Sequence, residues 1–184
     1  MHPFVFLSQS FRVPVAEEAT KHPLPNRRQL RVKIMQAIYA VFSSGNSAHE
    51  VFGHLLEATY KPFREAGKTD EAVREDAEFI HQLYYGTLKE QQEMELLITQ
   101  KLEKWDLKRV ALIDRILILM GLYELLQFPE IPIKVSINEY IEIAKNFSTE
   151  KSSQFVNGVL DAIQRELKAE NKIKKVGRGL LENS

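Results

Sequence analysis

Along most of this chain apolar residues return every three or four positions, the spacing that gives a helix one buried face. Leu30, Ile34, Ile38, Val41 and Phe42 predict a first helix. Asn26 precedes them as an N-cap, Gln29 occupies the reciprocal capping-box position, and Gly45 marks the end. Ser47 and Glu50 open a second helix that buries Val51, Leu55, Leu56 and Ala58 and reaches the Pro62 region. After a break at Gly67 to Thr69, a third helix runs from Asp70 to Tyr85 with Val73, Ala77, Ile80, Leu83 and Tyr84 inward. Gly86 reads as a joint. A fourth helix follows over Thr87 to Lys104, with Met94, Leu97, Ile98 and Leu102 on its apolar side. A fifth, capped by Asp106 and stopped by Pro129 and Pro132, is apolar nearly all round, which marks it as the central buried helix. Ser136 and Glu139 form a third capping box for a helix ending near Phe147. The last helix spans Glu150 to Asn171, with Phe155, Val156, Val159, Leu160, Ile163 and Leu167 inward.

The fold class expected is therefore all-α, a compact bundle of about seven helices in two packed halves, residues 26–85 and 86–171. Strand alternation is scarce, and Pro132 counts against the short run from Ile131 to Val135. Four of the seven prolines fall in residues 1–25, which read as an extended leader from which Phe4, Phe6, Leu7 and Phe11 could dock. Residues 172–184 read as a basic, flexible tail.

Composition narrows the chemistry. The chain has 184 residues, of which 44% are hydrophobic, enough to bury a core. Lysine plus arginine equals aspartate plus glutamate at 25 each, so a uniformly basic coat is excluded while local asymmetry is not. With no cysteine, disulfides, thiolate metal sites and cysteine nucleophiles drop out, which fits a cytoplasmic location. No apolar run approaches the roughly 20 residues that span a bilayer. The opening MHPFVFLSQSF lacks the basic start of a signal peptide.

Catalytic and metal motifs are wanting. His49 and His54 stand five apart, roughly 140° round a helix, whereas a zinc-binding helix needs histidines on one face, four apart. Gly177-Arg178-Gly179 has no strand before it and is not a dinucleotide loop. No phosphate-binding loop or nucleophile elbow occurs, so neither an enzyme nor a cofactor is expected. The one unusual concentration is Arg27-Arg28-Gln29-Leu30-Arg31-Val32-Lys33. Arg27, Arg28 and Arg31 are spaced to crowd one exposed side of the first helix. They repel one another and stand at a helix N-terminus, where the dipole disfavours cations. A phosphate ligand would offset both penalties, since arginine presents a planar fork of donors. Pairing with carboxylates from another helix is the bland alternative. Gln36 and Tyr39 follow nearby, an amide and a ring suited to bases of single-stranded RNA, or equally to ordinary packing.

Four segments resemble one family. They are Arg27-Arg28-x-x-Arg31 leading into Gln36-Ala37-Ile38-Tyr39, then Leu122-Tyr123-Glu124-Leu125, then Ile131-Pro132-x-Lys134-Val135-Ser136-Ile137-Asn138-Glu139 with Ile143-Ala144-Lys145, and finally Phe155-Val156-Asn157-Gly158-Val159-Leu160-Asp161. In this order they resemble the NusB family of bacterial transcription antitermination factors over about residues 26–165. The resemblance implies an all-α fold, binding of boxA-type ribosomal RNA leader sequence together with a NusE-type small-subunit ribosomal protein, and action within an RNA polymerase antitermination complex. It implies RNA contacts at Arg27, Arg28, Arg31, Gln36 and Tyr39. A second patch at Lys145 and Lys151 and a partner contact at Asp114 also follow from it.

The chain departs from the family at two places. Leu119 stands where many members carry an arginine, so Glu124 needs another donor, for which Arg115 is a candidate. Gln29 replaces a further arginine. Asn157 reads as a satisfied buried amide and Glu139 as a capping residue. Two other functions stay open at this point. One is a helical interaction module or homodimer without an RNA role. The other is a relative of the RNA-binding module of ribosomal RNA cytosine methyltransferases, although no motif for the methyl-donor domain follows.

Overall fold

A computed structural model describes residues 25–65, 71–101 and 109–181. The leader up to residue 24, the break at Gly67 to Thr69, the helix start at Asp70, the inward Leu102 and the cap at Asp106 lie outside the described residues, as do residues 182–184. The helices are α1 (Arg27–Ser44), α2 (Ala48–Glu65), α3 (Glu71–Lys101), α4 (Leu112–Gln127), α5 (Ile133–Phe147) and α6 (Glu150–Ala169), followed by a short 3-10 helix, Gly177–Leu180. There is no strand among the described residues. The all-α expectation holds, with six α-helices rather than seven among those residues.

The difference lies at Gly86. The two helices expected on either side of it are one, the 31-residue α3. A helix tolerates one interior glycine at a cost of about 1 kcal/mol relative to alanine. Here the missing side chain makes room, because a Cβ on Gly86 would come within 1.9 Å of the Tyr123 ring on α4. Gly86 is therefore a close contact between helices, not a joint, and the expected boundary between residues 85 and 86 falls inside α3.

The apolar periodicity finds its partners through α4, which packs against α1, α3, α5 and α6. Every residue from Ile116 to Leu125 is buried. Each large aliphatic side chain taken from water there contributes about 1.5–3 kcal/mol. On α1 the expected stripe holds: Leu30, Ile34 and Ile38 are fully buried, and Gly45 closes the helix in the left-handed region at φ 68°. On α2 the inward set shifts by a residue, since Ala58 is exposed while Thr59 and Tyr60 are buried. Asn157 on α6 is exposed rather than buried.

Two boundaries also move. α5 starts at Ile133, with Pro132 in the cap position. A proline at the helix entrance costs no intrahelical bond, so the helix gains a turn over the expected start. Ser136 is thus inside the helix, and the Ser136–Glu139 capping box does not form. Residues 172–181, read from sequence as flexible tail, instead lie across the α4–α5 turn. The Val176 N–H donates to the Pro129 carbonyl at 3.0 Å and Lys175 Nζ to the Phe128 carbonyl at 2.9 Å. Among the described residues, no helix is long and apolar enough to cross a membrane.

Candidate nucleic-acid interface

The start of α1 is held by its own side chains. Asn26 Oδ1 accepts the Gln29 N–H at 2.9 Å, and Gln29 Oε1 accepts the Asn26 N–H at 2.9 Å. This fixes the direction in which the first turn projects its arginines, and they divide by depth.

Arg31 is buried, so the expectation that all three arginines crowd one exposed side is corrected. Its Nε and Nη2 donate to the two Glu124 oxygens, each at 2.8 Å. Glu124, fully buried on α4, also accepts from Ser136 Oγ at 2.8 Å and Tyr140 Oη at 2.9 Å. Four donors on two oxygens satisfy a charge that would otherwise cost several kcal/mol to bury. Burial opposes the Arg31 charge, but the bonds and attraction of Glu124 outweigh it and hold the guanidinium protonated above its ordinary range. Burial, and next the Glu124 charge, push the Tyr140 phenol well above its usual range. The donor sought for Glu124 is therefore Arg31 and not Arg115, which instead pairs with Glu95.

Arg28 and Arg27 are on the rim. Arg28 donates through Nε and Nη2 to Glu139 at 3.0 and 2.8 Å, which raises its pKa. Its side chain stays 47% exposed. Glu139 also lies 3.7 Å from Arg31 Nη1, so one carboxylate links the rim to the buried group. Arg27 turns to α3, 3.4 Å from Asp76 and with its guanidinium 4.4 Å from the centre of the Phe79 ring. Burial raises the Asp76 pKa against the opposing pull of Arg27. These arginines line a groove of about 770 Å³ between α1, α3 and the α4–α5 turn. Gln36 and Tyr39 are exposed further along α1. By helical geometry Tyr39 returns to within about 20° of Arg28, roughly 16 Å along the axis, and Gln36 lies about 80° round.

The remaining expected residues are elsewhere. Asp114 is buried at the start of α4, and its Oδ1 has no hydrogen-bond partner among the described residues. It lines a hollow of about 260 Å³ with Lys151, Arg109 and Phe155. Two residues expected to meet different partners thus share one hollow. Lys145 is exposed at the end of α5 and donates to Glu142 at 2.6 Å, a bond that lowers the Glu142 pKa. His49 and His54 are both exposed. Sequence reasoning missed Glu139 as the partner of Arg28 because its spacing from Ser136 fits a capping box. It missed Arg178, which lines the same groove as Arg28, because the segment carries no periodicity.

A helical body with part-exposed guanidinium groups along one groove is of the class that can receive anionic chains. Residues 28–165 match the sequence model of the NusB family. The chain is 38% identical over 158 residues to the transcription antitermination protein NusB of Salinibacter ruber, covering 86% of this chain and 92% of that protein. It is 37% identical over 160 residues to the NusB of Chloroherpeton thalassium, covering 85% and 70%. Among solved structures, NusB of T. maritima superposes with a TM-score of 0.65 at 32% identity, covering 78% of this chain and 94% of that one. A chain of the crystal structure of antitermination factors NusB and NusE in complex with dsRNA shares the fold, with a TM-score of 0.61 at 21% identity over 76% of this chain and 96% of that one. The chain belongs to the NusB family.

Proposed function

We propose that this chain is a non-enzymatic, cytoplasmic transcription antitermination factor. It binds boxA-type RNA together with a NusE-type small-subunit ribosomal protein, within an RNA polymerase antitermination complex. Family membership supports this reading, as does the name of the related assembly, which joins NusB, NusE and RNA. The observation that carries it to this chain is the pair of part-exposed arginines, Arg27 and Arg28, on the rim of the groove.

In this reading Arg27 and Arg28 meet RNA phosphates, with Gln36 and Tyr39 offering an amide and a ring to bases further along α1. A phosphate arriving at Arg28 competes with Glu139 for that guanidinium, whose planar fork Glu139 already holds in a defined direction. Arg31 acts at one remove: it is a positioning residue that anchors Glu124 and steadies Glu139, and it does not touch RNA. Lys145 and Lys151 form a weaker basic patch, and the start of α4 around Asp114, which lines a hollow with Lys151 and Arg109, faces the protein partner.

The test is RNA binding by the full chain with a NusE-type protein, using a boxA-like strand and a scrambled one across a salt series. Arg28→Ala is expected to weaken binding and make the log–log salt slope shallower by about 0.7, one phosphate on a single strand. Unchanged affinity and slope would remove Arg28 from the interface.

A further inference from the structure

We infer that the C-terminal segment 172–181 is an arm of the RNA groove and that its Arg178 is a further phosphate-binding residue. The inference rests on the RNA-binding reading and extends it beyond the family match, which ends at residue 165.

The geometry of the segment carries it. After α6, Asn171 turns the chain at φ 55° and Lys172 N–H closes on the Leu167 carbonyl at 2.9 Å. The chain then crosses to the α4–α5 turn, where the Pro129 carbonyl accepts the Val176 N–H and the Phe128 carbonyl accepts Lys175 Nζ. Lys175 gives up solvent to do so, and burial lowers its pKa. The contact is close: Gly179 is buried, and a Cβ there would meet the Pro129 carbonyl oxygen at 2.0 Å. Between these anchors Arg178 is exposed and lines the same groove as Arg27 and Arg28. Among the described residues it has no ion-pair partner, in contrast to Arg27, Arg28 and Arg31.

Charge accounts for why this matters. The groove is also lined by Glu75, Glu78, Glu130 and Glu139. Without Arg178 those four carboxylates outnumber the three α1 arginines, and one of these is spent on Glu124. Arg178 is the groove guanidinium without a carboxylate partner among the described residues, so it meets an incoming phosphate without giving one of them up. A mixed lining suits a single strand, which offers phosphates to arginine and base N–H groups to glutamate.

The experiment compares Arg178→Ala, Gly179→Ala and Arg28→Ala in the full chain with the NusE-type partner, by fluorescence anisotropy on a single-stranded boxA-like RNA over a salt series. Arg178→Ala is expected to shallow the slope by about 0.7 and weaken binding about fivefold at 0.1 M salt. Gly179→Ala, which displaces the arm from the Pro129 carbonyl, is expected to show the same loss, and Arg178→Lys to retain most binding. Thermal unfolding checks that each variant folds. If Arg28→Ala weakens binding while Arg178→Ala changes neither affinity nor slope, this inference is overturned and the wider reading stands. If neither arginine matters, both fall. A loss in Arg178→Ala without one in Gly179→Ala overturns the role of the docked arm.

Discussion

Arg28 and Arg31 stand one turn apart on the same helix, and each grips a glutamate with two hydrogen bonds. One side chain is 47% exposed and the other 3%. At the rim, water reaches the Arg28 guanidinium, so the Arg28–Glu139 pair adds little to stability and can be traded for another anion. In the interior, Arg31 has beyond Glu124 only the longer contact to Glu139, and separating the pair leaves Glu124 among the described residues with the neutral donors Ser136 and Tyr140. The same pairing is therefore a fixed strut at one depth and a replaceable contact at the other. Residue type and spacing do not distinguish the two; the amount of surrounding protein does.

The largest expected effect tests the buried side. Arg31→Ala should destabilise the fold by about 3–5 kcal/mol, because Glu124 keeps only neutral donors in a dry site. Denaturant unfolding measures this, and a loss below about 1 kcal/mol, the range of exposed pairs, would erase the contrast. Replacing both partners together, Arg31→Met with Glu124→Leu, should recover much of that loss, since a paired buried charge competes poorly with apolar packing. Next comes Tyr140→Phe, which removes one of the four donors to Glu124 and should cost about 1.5–3 kcal/mol, the range for a bond to a charged group. Arg28→Ala should cost less than about 1 kcal/mol by the same unfolding measurement, with its principal effect on RNA binding.

Alkaline pH offers the gentlest probe. The neutral Tyr140 phenol is favoured in the folded state, so the folded chain keeps a proton that the unfolded chain loses near its ordinary pKa of 10.0. Its contribution is fully present below that pH and declines as pH rises through the higher folded value. Unfolding midpoints should fall above about pH 10 in the parent protein and fall less in Tyr140→Phe.

Much of the fold was legible in sequence because burial and periodicity are both local. The α1 stripe, the Asn26 capping box and the all-round apolar α4 follow from spacing and residue type alone. Gly86 misled because a glycine that breaks a helix and one that admits a neighbouring ring look alike until Tyr123 is in place. Ser136 misled similarly: its distance from Glu139 matches a capping box, yet each side chain is drawn to a group on another helix, Ser136 to Glu124 and Glu139 to Arg28. The candidate interface was half legible. A cluster of cations announces itself, but which of them faces solvent depends on a carboxylate 93 residues away. The tail was opaque, since its docking uses backbone carbonyls that leave no trace in composition.

The hollow at Asp114 and the groove at Arg28 open at opposite ends of α4, one touching Ala111 and the other Phe128. A 16-residue helix spans about 24 Å and, packed on all sides, has nowhere to bend. Whatever binds at one end is thus held at a set distance and angle from whatever binds at the other. On the proposed reading the bundle is a gauge block between two ligands, and lengthening or kinking that single rod would misalign them without touching either contact.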